Sequence, residues 1–141
     1  MSALIKKFFI FFLICLPTSV FAGSFVITID KIVAGKQITG HIQGLAPQAA
    51  SKYKVLVYVH TDRWYIHPYA GQGEERTWAS VKEDGSWQVQ TVQREFRADS
   101  VAALLVLRSV PEPNRVESLT NIPYQAAITK VLQGTPDYGK L

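Results

Sequence analysis

Four aromatic side chains and two amides carry most of the chemistry that this sequence offers. Trp64, Tyr65, Tyr69 and Trp78 fall close together, with Arg63 and His67 among them. A flat aromatic ring covers the C–H face of a pyranose, and nearby amides such as Gln88 and Gln90 meet its hydroxyls. This pattern makes Trp64, Tyr65, Tyr69, Trp78, Gln88 and Gln90 the candidate ligand-binding residues, with carbohydrate as the leading ligand. The same aromatics are equally suited to anchoring a protein partner, as interface tryptophans and tyrosines do, or to plugging one end of the fold.

Catalytic constellations are weaker. His60, Asp62 and His67 have metal-ligating side chains, but neither HxH nor HExxH occurs, and each histidine is more simply read as satisfying a loop group. Glu74 and Glu75 are adjacent, so on an extended segment they point to opposite sides and cannot flank one bond. No GxSxG is present. The expectation is a non-enzyme with no catalytic residue, no metal site and no cofactor.

The elements that position these residues read as strands of an all-β, immunoglobulin-like antiparallel sandwich of about seven strands. Phe25 to Ile29 and Gln37 to Gln43 alternate apolar with polar residues around a turn at Gly35. Tyr53 to His60 is almost entirely β-branched or aromatic, as a central strand is. Trp64 to Ile66 is a short strand stopped by Pro68, and a glycine-rich loop, Ala70 to Glu75, follows it. Thr77 to Lys82, Ser86 to Val92 and Val101 to Val110 come next, the last ended by Pro111 and Pro113. Tyr124 to Gln133 is ambiguous between helix and strand, and a last strand is favoured because it would complete the sandwich.

Side-chain faces register one hairpin. A three-residue loop, Glu83-Asp84-Gly85, with Gly85 in the left-handed conformation pairs Lys82 with Ser86. Val81 then faces Trp87, Ala79 faces Val89 and Thr77 faces Thr91, whereas a two-residue loop would mix apolar with polar residues on each face. In that register Trp78, Ser80, Gln88 and Gln90 share the opposite, outward face. The central strands are apolar on both faces, so Leu56, Tyr58, Leu104 and Val106 need a cover. The segment from Pro123 onward is the economical candidate, a partner subunit the alternative.

The first residues speak to location. Lys6 and Lys7 precede the apolar run Phe8 to Leu16, Pro17 breaks it, and Val20-Phe21-Ala22 places small residues at −3 and −1. This is the layout of a cleaved secretory signal peptide over residues 1–22, followed by a single β-sandwich domain over 23–141. The only cysteine, Cys15, leaves with the signal, and large Ile14 before it argues against lipidation. Cleavage takes 15 basic residues to 13 against 11 acidic ones, a formal charge of +2, with no Lys/Arg run to track phosphates. Nucleic acid is therefore not an expected partner, the membrane is engaged only through the signal peptide before cleavage, and the mature chain belongs in the periplasm or outside the cell.

Tyr53-Lys54-Val55 with Tyr58, Trp64-Tyr65 with Pro68, Asp84-Gly85-Ser86-Trp87 and the apolar run Val101 to Leu107 together resemble bacterial immunoglobulin-like β-sandwich modules of secreted proteins. Such modules often stand beside glycoside hydrolases. The resemblance spans roughly Ile38 to Leu107 and implies an accessory role, polysaccharide binding among its forms, with no catalytic residues. The expected function is an exported non-catalytic binding module for polysaccharide; its alternative is a structural subunit of a cell-envelope assembly. The export reading predicts that the native protein, weighed by mass spectrometry, lacks residues 1–22. An intact N-terminus held in the inner membrane would make the Phe8 to Leu16 run an anchor instead.

Overall fold

The computed structural model describes residues 24–141, so the expected leader lies outside the described residues. Among the described residues nine strands form two antiparallel sheets: β1 (Val26–Val33), β2 (Gln37–Gln43), β3 (Tyr53–His60), β4 (Trp64–Ile66), β5 (Trp78–Ser80), β6 (Ser86–Gln90), β7 (Ser100–Leu107), β8 (Arg115–Val116) and β9 (Ala126–Val131). The narrow sheet runs β1-β2-β6. The wide sheet runs β8-β4-β3-β7-β9, with β5 also paired to β3. No helix among the described residues is long and apolar enough to cross a membrane. The chain is an all-β sandwich, and the ambiguous Tyr124 to Gln133 segment supplies its last strand. The additions to the expected set of strands include β8, whose two residues are too few to show a period.

The main core lies between the sheets. Ile27, Ile29, Ile38 and Ile42 meet Val55, Val57, Val101, Ala103 and Leu105 there. Trp87 seals the narrow-sheet side, lying over Gly40 so closely that a Cβ at Gly40 would sit 2.5 Å from the indole and 2.0 Å from Thr28 O. A residue without a side chain is what lets the ring lie flat against the strand.

The hairpin expectation needs correction in one respect. The turn closes as expected: the Lys82 amide donates to Ser86 O (2.9 Å), Gly85 has φ +87°, and Asp84 Oδ1 accepts from the Ser86 amide (2.9 Å). Val81, Trp87, Ala79, Val89, Thr77 and Thr91 are all buried. Beyond Lys82, however, the two arms part. β5 pairs with β3, Leu56 opposite Trp78, and β6 pairs with β2, Thr39 opposite Gln88. Alternation reports which residues face inward, and two strands on opposite walls of a sandwich need the same inward set as two paired strands.

The cover over the wide sheet is also reassigned. Leu56, Tyr58, Leu104 and Val106 are covered by Val110, Val116, Leu119 and Ile122, with Trp64 and Trp78 packed at the margin. The segment after Pro123 is instead spent on β9, which extends the sheet beside β7. The strap is fastened from below: Tyr58 Oη donates to Pro113 O (2.7 Å), and Lys54 Nζ donates to Glu112 Oε2 (2.5 Å). Burial and the Glu112 charge push the Tyr58 phenol well above its ordinary pKa, so it remains a donor.

Two substitutions test this packing. Gly40→Ala should cost at least about 3 kcal/mol in urea unfolding, since the new methyl meets backbone as well as indole. A cost below about 1 kcal/mol would mean that Trp87 does not lie over Gly40. Glu112→Gln should cost roughly 2–4 kcal/mol by leaving the Lys54 ammonium buried without a counter-charge, and Lys54→Met in the same chain should recover most of it.

Candidate functional site

β4 and β5 share one edge of β3, β4 against Tyr58–His60 and β5 against Lys54–Leu56. Between them the chain leaves the sheet. Pro68 has no N–H with which to continue a ladder, and residues 67–77 form a loop closed on itself. Its internal bonds are the Gln72 amide to Thr77 Oγ1 (2.7 Å), the Thr77 amide to Gly73 O (2.8 Å) and the Glu75 amide to Trp78 O (2.6 Å), and it is tied to the sheets by the His67 amide to Val57 O (2.9 Å) and the Gln90 amide to Glu75 O (2.8 Å). Glu75 sits at φ +67° in this turn.

The narrow sheet meets the wide one chiefly at β5, β7 and β9. Over the face of β4 that carries Tyr65 lies a cavity of about 770 Å³. It is lined by Val59 and Tyr65 of the wide sheet, by His67, Pro68, Tyr69 and Ala70 of the loop, by Arg94, Phe96 and Ala98, and by Leu141. The lining is mainly apolar, and the volume lies in the range of small-molecule sites. Phe96 is 80% exposed at the rim, an aromatic ring held out of the core among charged neighbours.

The polar groups around the cavity are mostly committed. Tyr65 Oη donates to Asp62 Oδ1 (2.9 Å), which also accepts from Thr61 (3.1 Å). The Tyr65 bond holds the Asp62 carboxyl below the usual carboxylate range and raises the Tyr65 phenol. Arg94 donates to Pro68 O, tying these two parts of the lining together. The Tyr69 ring lies under two guanidiniums, 5.5 Å from Arg76 and 5.9 Å from Arg94. His67 is only 1% exposed, and its Nε2 meets Thr91 Oγ1 at 2.6 Å. Burial first, and the Arg94 charge second, lower its pKa to about 3, so the ring is neutral at physiological pH.

Of the residues singled out in the sequence, Tyr65 and Tyr69 come together here. Trp64 and Trp78 do not. They belong to the outer face of the wide sheet, where Trp64 packs on His60 (4.9 Å between ring centres) and Trp78 lies beneath Arg108 (4.8 Å). Gln88 and Gln90 lie on the narrow sheet, so they cannot form one platform with Trp78; the shared face required arms that stay paired. The histidines and the aspartate are likewise divided, since His60 Nδ1 meets Asp99 (3.0 Å), His67 meets Thr91 and Asp62 meets Tyr65. Sequence reasoning missed Phe96 and Arg94. The available signal was an isolated phenylalanine in the charged run Arg94-Glu95-Phe96-Arg97, which a connecting loop has no structural use for.

Comparison with known proteins returns no match: no family model fits the chain, and no curated protein or solved structure is significantly similar to it.

The buried imidazole makes stability depend on pH. His67 has a folded pKa far below its unfolded value near 6.5, so the unfolded chain binds more protons in between, and stability falls as pH drops from 6.5 towards 3. Urea unfolding at pH 7 and pH 5 should show a loss of about 2 kcal/mol attributable to this group. His67→Gln should flatten the dependence; an unchanged slope would mean that His67 is not the buried base.

Proposed function

We propose that the protein is an exported, non-catalytic binding module, built on an immunoglobulin-like sandwich, whose ligand seats an apolar group in the cavity over Tyr65. The observation that carries this reading is the combination of an open, mainly apolar cavity with an exposed Phe96 at its rim. Folding gains nothing from holding a phenylalanine in water, whereas a ligand that covers it would recover its transfer free energy, about 1.5–3 kcal/mol. Tyr65, Tyr69 and Phe96 bring aromatic surface to the lining, and the neutral His67 keeps a charge out of it.

Carbohydrate holds a weaker place than the sequence alone gave it. A sugar needs polar partners for its hydroxyls beside the stacking ring, and the two amides expected to supply them stand on the other sheet. The second reading, an envelope subunit docked through this site, is favoured by Phe96 itself, because an exposed ring on a rim is well placed to enter a partner's surface.

Titration of the labelled protein with 2-naphthol, followed by amide chemical shifts, tests the proposal. Shifts should cluster in residues 65–72 and 94–98. Phe96→Ala should weaken binding about tenfold while changing stability by less than about 0.5 kcal/mol. Gln90→Ala should change neither. Shifts centred on Trp64 and Trp78, or a saturable response to oligosaccharides centred on Gln88 and Gln90, would overturn the assignment.

A further inference from the structure

The rim of the cavity is charged in a way that its interior is not. Arg76 and Arg94 both lie over the Tyr69 ring, and neither has a carboxylate within ion-pair distance among the described residues. Among the described residues Lys54 pairs with Glu112, Arg63 with Glu117, and Lys130 and Lys140 with Asp137, while other cations, Arg97 over Tyr138 and Arg108 over Trp78 among them, are also without a carboxylate; what sets Arg94 apart is its place in the cavity lining. The Arg94 guanidinium stands in the lining of an apolar cavity with no acid to neutralise it, and Arg76 adds a second positive charge on the same Tyr69 ring. Each is fixed by a bond to a neutral acceptor, Arg94 to Pro68 O and Arg76 to Gln72 Oε1 (2.9 Å), which orients the group without cancelling its charge. A guanidinium has five N–H donors, so a single bond leaves most of the fork of each available.

We infer that the ligand is a small aryl carboxylate, its ring among Tyr65, Tyr69 and Phe96 and its carboxylate on the guanidinium of Arg94, with Arg76 adding charge. This rests on the cavity over Tyr65 being the binding site. The ring is chosen over an alkyl chain because three aromatic side chains in the lining favour edge and offset contacts that a chain does not make. The carboxylate follows from the planar fork, which matches two oxygens at once. Asp62, the acidic group on the lining, is committed to Tyr65 and Thr61, and its charge would turn an entering anion towards Arg94.

The test compares 2-naphthoate with 2-naphthamide, two probes of one shape that differ in charge, by calorimetry on the intact protein. The naphthoate should bind about tenfold more tightly, as a charge-assisted hydrogen bond at a partly exposed site gives. Its advantage should shrink as salt is raised from low ionic strength. Arg94→Met should abolish the preference, so that the variant binds naphthoate and naphthamide equally, whatever loss of the tie to Pro68 costs both probes alike. Arg94→Lys, which keeps the charge without the fork, should retain part of the preference and guards against a variant that merely misfolds. Equal binding of the two probes to the native protein would overturn the carboxylate inference and leave the cavity as a binding site. Binding of neither would overturn both. A preference that survives Arg94→Met would overturn the assignment to Arg94.

Discussion

A sheet that is apolar on both faces governs this structure. β3 and β7 bury valine and leucine towards the narrow sheet and Leu56, Tyr58, Leu104 and Val106 away from it. Each large apolar side chain left wet would forfeit about 1.5–3 kcal/mol, and a domain of this size holds only about 5–15 kcal/mol in total. Both faces must be covered, and the chain has one three-stranded sheet with which to do it. The rest of the architecture follows. The narrow sheet takes the inner face, a strap from residues 108–122 takes the outer face and pairs with β4, and the cavity opens over the Tyr65 side of β4.

The strap is held differently from the sheets. It has one short ladder, β8 against β4, and depends otherwise on side chains: the Lys54–Glu112 pair, the Tyr58 hydroxyl and four apolar residues. A Lys side chain only 5% exposed is expensive to bury, and the cost is tolerated because its stem lies along the sheet with Trp78 nearby (5.7 Å) while its end reaches the carboxylate. The arrangement ties the outer face to one position of the strap. Register, more than net stability, is what such a pair contributes.

Legibility in the sequence divided along physical lines. Period-two alternation and turn chemistry sufficed for the strands β2, β3 and β4 to the residue, and for the left-handed Gly85 turn. Inward and outward faces were equally legible, since Val81, Trp87 and Val89 are buried as their alternation requires. Partnership was not. Which strand a neighbour pairs with depends on contacts between residues far apart in the chain, and β5 and β6 carry the same pattern whether paired or opposed. The site suffered from this directly. Tyr65 and Tyr69, grouped by residue type, both line the cavity, Trp78, Gln88 and Gln90 were grouped by a pairing that does not occur, and Arg94 and Phe96 lie on a loop whose place is set only when the sheets close.

The parting of β5 and β6 also decides how the chain can be divided. The narrow sheet draws on residues 26–43 and 86–90, and all of β3, β4 and β5 lie between those stretches while belonging to the wide sheet. No single cut separates one sheet from the other: a break before Tyr53 strands β1 and β2 without β6, and a break after Gln90 leaves β3 without β7. Each sheet is threaded through the sequence of the other. Neither can be completed as a local unit, so the long-range closure of β6 on β2 has to be won together with that of β7 on β3, which places this small domain among slow-forming topologies rather than assemblies of independent halves.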